Sequence, residues 1–430
     1  MHRVRLRASR LFARACVVAS SCLVASAGVA ASSPPAASAH SAHVHAGTPG
    51  APYASLAPFR CADVSLACAT SVTPASAPDG SLWVAWTAGG AVSVARSSDG
   101  GASFSAPIVL GRYGGYADTG PDARPQIVVD SSGRIAVVFD VFKDDAWNAR
   151  VLVSLSEDGG ASFSPPRPVT DHPASQRFPV ATWTADGVLF VAWIDKRTVA
   201  EAARRGRAPP GAALAYAWSH DAGRTFSESR VAHAPSCECC RIGIALAGSR
   251  QPVLLFRAIF DGRVRDHALV AFDARGLPTP AQRVAHDDWV TDACPHHGPA
   301  LAIASDGTRH AAWFTQGRRR SGVFYARSRD ARSGFLAPMR VGAAGRRVSR
   351  PYLLARDKRI WLAWKEFDGE RTTVHASRSD DDGATWSAAQ EIARTGGYSD
   401  HPLLIAHAGR VHLSWQTQAE GYRLLPLEER

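Results

Sequence analysis

Apolar and polar positions alternate in short runs along this chain, and the runs return on a long period. Ser81-Leu-Trp-Val-Ala-Trp86 and Arg359-Ile-Trp-Leu-Ala-Trp364 are two of them, each strand-like in pattern and each closed by an aromatic. Others close on Phe139, Trp193, Phe256, Trp313 and Trp415, so the aromatic anchors recur every 51 to 63 residues. A proline stands 12 to 14 residues before each anchor (Pro74, Pro125, Pro179, Pro299, Pro351, Pro402), except that Gly243 replaces it in the fourth copy. Short alternating strands on a fixed long period indicate radial blade repetition. The predicted fold is all-β: a seven-bladed β-propeller, or alternatively six blades with one irregular excursion.

A second phrase lies between the copies. Ser97–Phe104, Ser156–Phe163, Ser219–Phe226 and Ser379–Trp386 all read S-x-D-x-G-x-[ST]-[FW]. Ser328-Arg-Asp330 running to Phe335 is a degenerate copy, and Phe272-Asp-Ala-Arg-Gly276 a more eroded one. The aspartate accepts N–H groups of its own turn, the glycine takes a backbone conformation closed to side chains, and the aromatic plugs the hairpin base. These are Asp-box turns, and in register with the strand repeats they make the chain resemble the sialidase superfamily over roughly residues 70 to 430. The family's usual ring has six blades.

Within each repeat, strand A follows the proline, B ends at the aromatic, C leads into the box and D follows it. The D-to-A and B-to-C connections then share one face, opposite the boxes. That face collects Arg124, Arg177, Arg241 and Arg350 at the starts of A strands, Cys237-Glu-Cys-Cys240, Cys294-Pro-His-His297 and Gly397-Tyr-Ser-Asp400. B-to-C loops add Asp195-Lys-Arg197 with the insertion at 198–211, Arg257 and Arg265-Asp-His267. The last repeat has room for three strands, so a segment near 55 to 68 is expected to supply a fourth and close the ring.

The resemblance implies a glycosidase site built from a tyrosine nucleophile, a glutamate that activates it, an aspartate as acid and base, and an arginine clamp for a sugar carboxylate. A neutral phenol avoids the repulsion that an anionic nucleophile would meet at an anionic substrate. On this pattern Tyr398 is the nucleophile, Glu238 its base and Asp195 the acid. Arg177, Arg257 and Arg350 form the clamp, with Arg124 beside them as a further substrate-binding arginine. Arginine suits this role because its planar fork pairs a carboxylate bidentately. The first blade departs from the family in reading Val72-Thr-Pro74, with no arginine. A non-catalytic propeller binding an acidic sugar on the same face is the weaker form of this reading.

Composition adds an address and a competing chemistry. Arg3, Arg5, Arg7, Arg10 and Arg14 precede an apolar run from Ala15 to Ala31. This predicts an export signal at 1–31, cleaved after Ala31 or Ala39, and a disordered Ala/Pro/His leader at 32–55 before the propeller domain at 56–430. The protein is expected to be secreted or periplasmic, monomeric and without a membrane span. Its formal charge of +11 falls to +6 without the five signal arginines, and no nucleic-acid-binding module is visible.

Cys61 and Cys68 are spaced for a staple at the N-terminal strand. Cys237, Cys239, Cys240 and Cys294 fall in two neighbouring links and are read either as two disulfides or, with His296 and His267, as a copper or zinc centre. The leader's His40, His43 and His45 fit the metal reading, which is the alternative to a protein with no cofactor.

Overall fold

Every aromatic anchor lies in the second strand of a sheet and is at most 3% exposed. The computed structural model describes residues 61, 63–330 and 333–427. The predicted signal, the leader and its histidines lie outside them.

Seven antiparallel sheets follow one another along the chain. The first holds β1 (Val72–Ser76), β2 (Leu82–Ala88), β3 (Ala91–Ser97) and β4 (Ile108–Arg112). The second holds β5 (Gln126–Val129), β6 (Ile135–Phe142), β7 (Ala149–Ser156) and β8 (Arg167–Pro168). The third holds β9 (Gln176–Trp183), β10 (Leu189–Asp195), β11 (Ala212–Ser219) and β12 (Arg230–Ser236), with helix α1 (Arg197–Arg204) in the predicted insertion. The fourth holds β13 (Gly243–Ala247), β14 (Gln251–Arg257), β15 (His267–Ala271) and β16 (Gln282–Arg283). The fifth holds β17 (Ala300–Ile303), β18 (Arg309–Gln316), β19 (Ser321–Ser328) and β20 (Met339–Val341). The sixth holds β21 (Arg347–Arg356), β22 (Arg359–Phe367), β23 (Thr372–Ser379) and β24 (Gln390–Thr395). The seventh holds β25 (Leu403–His407), β26 (Arg410–Thr417) and β27 (Gly421–Pro426).

The first strands β1, β5, β9, β13, β17, β21 and β25 pack against one another in that order, and β25 packs back on β1. The ring is closed and has seven blades, so the six-bladed alternative does not hold. Each inner strand is an edge of its own sheet, which is why proline is tolerated there. The exception, Gly243, sits where a Cβ would lie 3.3 Å from the Leu301 nitrogen and the Pro299 oxygen of the next blade.

Ring closure differs from the sequence expectation. Among the described residues the seventh sheet has three strands, and the N-terminal segment is not a ladder partner. Instead Leu66–Cys68 forms a 3-10 turn against β2 and β27, tied by the Cys61–Cys68 disulfide. The indole N–H of Trp86 donates to the Val64 carbonyl at 2.9 Å. Residues 55–60 of the expected strand lie outside the described residues.

The box turns reach beyond their own hairpins. Asp158 accepts from the Ser156 hydroxyl (2.8 Å) and the Ser162 N–H (2.9 Å), and Asp99, Asp221 and Asp381 repeat the pattern. The box glycine lies against the preceding blade. A Cβ on Gly160 (φ +90°) would stand 2.2 Å from the ring of Trp83, and one on Gly101 would meet Leu424, which joins blade one to blade seven. Apolar cores fill the spaces between blades, as where Phe178, Phe190 and Tyr216 pack with Leu254, Phe256 and Phe272.

Candidate functional site

The inner strands enclose a narrow cavity of about 90 Å³ lined from all seven blades, including Thr73, Arg124, Pro179, Arg241, Pro299, Tyr352 and Leu403. Its volume matches that of a few water molecules at about 30 Å³ each. Ligand sites usually need about 300 Å³ or more, so this cavity is too small for a sugar.

The links that lead into the inner strands carry a dense set of charges. Arg124 is buried and pairs with Asp400, while its NH1 donates to the Val72 carbonyl at 3.2 Å. Asp400 also accepts from the backbone N–H of Val72 (3.0 Å) and His401 (2.6 Å). Arg350 takes a positive φ of 56° just before Pro351, where β21 slips register against β22. This turns its side chain towards Asp122 (3.2 Å) and the His296 carbonyl. Lys365 donates to the Ser399 hydroxyl (2.7 Å) and the Asp400 carbonyl (3.2 Å).

Arg241 makes one hydrogen bond, to the Pro351 carbonyl at 3.2 Å, and its buried Nε has no hydrogen-bond partner among the described residues. Burial first, then the neighbouring Arg124 and Arg350 against the opposing pull of Asp122, pushes its guanidinium down to about 10. His401 is 2% exposed with neither ring nitrogen bonded, and burial and the fields of Arg350, Arg241, Arg124 and Lys365 hold it well below the usual histidine range. Burial, with Arg350 and Arg124 opposed by Asp400, pushes the Lys365 ammonium down to about 8. Four cations thus surround two carboxylates, Asp122 and Asp400, in a space largely closed to water.

Tyr398 lies in this group. Burial and the charge of Asp400 push its phenol upward, against Arg124 and Arg350. The carboxylates acting on it are Asp400 and Asp122, whereas Glu238 is ion-paired with Lys196 at 2.7 Å. Asp122, overlooked in the sequence, sits in Gly120-Pro-Asp-Ala-Arg124 directly before an inner strand, the position that gave the arginines away.

The other residues singled out from sequence are held by the scaffold. Asp195 is fully buried and accepts from the Trp193 indole (2.9 Å) and the Arg197 N–H (2.8 Å), Nε (3.0 Å) and NH2 (2.9 Å). Its role is to satisfy a blade anchor, as Asp287 does for Trp313 and Glu366 for Trp364. Arg257, 1% exposed, donates to the carbonyls of Arg265 (3.0 Å), His297 (3.0 Å) and Phe314 (3.1 Å) and stacks 4.4 Å from Trp289. Its fork binds backbone, in place of the expected clamp. Arg177 pairs with Asp118 at 2.6 Å and lies over Phe142 and Phe178. Burial, then the charge of Asp118 and a hydrogen bond to it, raises the Asp140 carboxyl beside this pair well above the carboxylate range.

Four cysteines meet at the same face. The sulfur of Cys237 lies 3.5 Å from that of Cys239 and 3.9 Å from that of Cys240, and all four are free thiols, not the two disulfides allowed by the sequence. Hydrogen bonds from Cys239 and Cys240, then Arg257 and Arg265, hold the Cys237 thiol well below its ordinary range, and Cys240 is pushed up to about 12. Cys239, Cys294 and His296 form a second group with donor atoms within 4.8 Å of one another. His267 belongs to neither group: it is buried beside Arg257 on the neighbouring strand.

No family model matches this sequence, and no curated protein matches it. Among solved structures it is similar to a protein of unknown function from Dyadobacter fermentans DSM 18053, with TM-score 0.52 and 16% identity over 72% of this chain and 93% of that one. It is also similar to a polysaccharide lyase, PL25 ulvan lyase, with TM-score 0.55 and 11% identity over 83% of this chain and 93% of that one. A second structure of that lyase holds -[GlcA(1-4)Rha3S]-. An intramolecular trans-sialidase from Ruminococcus gnavus matches with TM-score 0.46 and 11% identity over 83% and 92% of the two chains. The chain is a seven-bladed β-propeller that shares its fold with the polysaccharide lyase PL25 ulvan lyase.

Proposed function

We propose that this protein is an exported binder of an anionic, glycan-type ligand, which it receives on the face formed by the links into the inner strands. One observation carries the reading: the Nε of Arg241 is buried and unbonded among the described residues, and the guanidinium shares its surroundings with Arg124, Arg350 and Lys365 against two carboxylates. A surplus of desolvated positive charge is costly unless an anion completes it. A carboxylate or sulfate ester on a sugar supplies that charge and takes the bidentate geometry a guanidinium offers.

Tyr398 contributes as a neutral hydrogen-bond donor. Its phenol is raised, which opposes use as a nucleophile. The predicted sialidase machinery is therefore read as a binding site in which Arg241, Arg350 and Tyr398 meet the ligand.

Calorimetric titration of purified protein with uronate, sialate and sulfated oligosaccharides, beside their neutral counterparts, tests this. Binding of acidic sugars alone is expected, with Arg241→Gln weakening it by about 10- to 100-fold, the worth of a hydrogen bond to a charged group. Tyr398→Phe is expected to change affinity by only a few-fold. Equal binding of neutral sugars, or unchanged affinity in Arg241→Gln, would refute the proposal. Turnover of a fluorogenic sialoside that disappears in Tyr398→Phe would replace it with an enzyme.

A further inference from the structure

A disulfide requires its sulfurs about 2.05 Å apart, and Cys237, Cys239 and Cys240 stand well beyond that, at 3.5 and 3.9 Å from the first sulfur to the others. Sulfurs bound to one metal at about 2.3 Å in tetrahedral or trigonal array are separated by about 3.8 to 4.0 Å. The three thiols are already near that spacing. Cys239 belongs to both groups of donors, so the trio, Cys294 and His296 form one continuous patch.

The local chain explains how it forms. Cys237 is fixed where blade three ends, its backbone N–H donating to the Arg257 carbonyl at 2.9 Å. The link into β13 then turns back so that Cys239 and Cys240 face it. Cys294 and His296 arrive from the next link, between β16 and β17, with His296 in a left-handed conformation at φ 49°. Burial is graded: Cys237, Cys239 and Cys240 are 1%, 4% and 2% exposed, Cys294 is half-buried and the His296 side chain is open. This leaves a dry thiol floor reached from one side.

The surroundings suit negative sulfur. Arg265 donates to the Cys237 sulfur at 3.3 Å, and Arg257 is buried behind the same residue. A set of thiolates carries more negative charge than one bound cation cancels, and these guanidiniums offset the remainder. The donors are soft sulfur with one borderline imidazole, which selects against the hard ions that prefer oxygen.

We infer that this cluster binds a single thiophilic closed-shell ion, copper(I) or zinc(II), through the thiolates of Cys237, Cys239 and Cys240, with Cys294 and His296 beside it on the open side as the neighbours of Cys239. Binding forms three S–metal bonds and releases three thiol protons to solvent, with no change of oxidation state. The inference does not depend on the anion site.

The test uses the full chain, reduced and kept anaerobic, with copper(I) and zinc(II) offered in separate competitions against chromophoric chelators. One equivalent is expected to be retained, with sulfur neighbours at about 2.3 Å in X-ray absorption. Cys239→Ser, which removes the shared donor, is expected to weaken binding by more than about 100-fold, and Arg265→Gln by about 10- to 100-fold as an outer partner. His296→Ala and Cys294→Ser, at accessible positions, provide variants that leave the buried packing intact and are expected to weaken retention. Preference for one ion identifies it and supports the site. Retention of neither ion by reduced protein, or equal affinity in wild type, Cys239→Ser and Cys294→Ser, would overturn the inference. Metal retention and acidic-sugar affinity are measured separately on the same protein, so the two proposals fail separately.

Discussion

Arg124 and Asp400 form an ion pair across 276 positions of sequence, both buried, with the β1 backbone at Val72 hydrogen-bonded to each of them. Blades two, seven and one meet at this junction. It gives Arg124 a different task from the substrate contact expected of it.

Breaking a buried pair leaves a charge without its partner and costs about 3–5 kcal/mol. Arg124→Ala is therefore expected to lower unfolding stability by that amount in urea titrations. A loss below 1 kcal/mol, accompanied by loss of acidic-sugar affinity, would instead make Arg124 a ligand contact.

Gly160 offers a test of blade packing. Replacing it with alanine places a methyl group 2.2 Å from the Trp83 ring at φ +90°, and overpacking plus the left-handed backbone is expected to cost about 2–4 kcal/mol. Its neighbour Gly159, at φ +68° with open space around its Cβ, is expected to lose only about 1–2 kcal/mol. Equal costs for the two would show that the box glycine serves its turn alone.

On the proposed function, Lys365 is expected to make ligand binding pH-dependent. With its ammonium depressed to about 8, it is charged below that pH and loses its proton as pH rises through it, so affinity for an acidic sugar is expected to fall above about pH 8. Lys365→Met should bind more weakly and show no such fall. An unchanged pH profile in the variant would remove Lys365 from the site.

Asp140 links stability to pH in the opposite region. Its folded pKa lies above the unfolded value of about 3.9, so the native state keeps a proton that the unfolded chain releases. The associated stability is complete below about pH 3.9 and is lost as pH rises through the folded value. Melting temperatures measured from pH 4 to 8 should show wild type falling relative to Asp140→Asn. A constant difference would mean that the carboxyl does not titrate there.

The ring was legible in the sequence because its signals are local. Trp86 and Trp364 close their own strands, and Asp158 binds its own turn, so each repeat announces itself within about ten residues. The site was legible only as a list of residues on one face. Arg257 and Asp195 look exposed and reactive in sequence, yet the first is consumed by carbonyls up to 57 positions away and the second by Trp193 and Arg197. Asp122, which partners Arg350 across 228 positions, has no periodic or motif signal. The two cysteine segments could be placed side by side from sequence because adjacent links in a ring are neighbours, but only geometry separates His296 from His267.

The tightness of the central cavity has an evolutionary corollary. A plug of side chains contributed by every blade cannot widen to suit a new ligand without loosening the whole ring, whereas the links above it tolerate change one at a time. On the proposed function, selectivity would then change through link residues such as Arg350 and Tyr398, while the Arg124–Asp400 junction and the inner strands stay fixed.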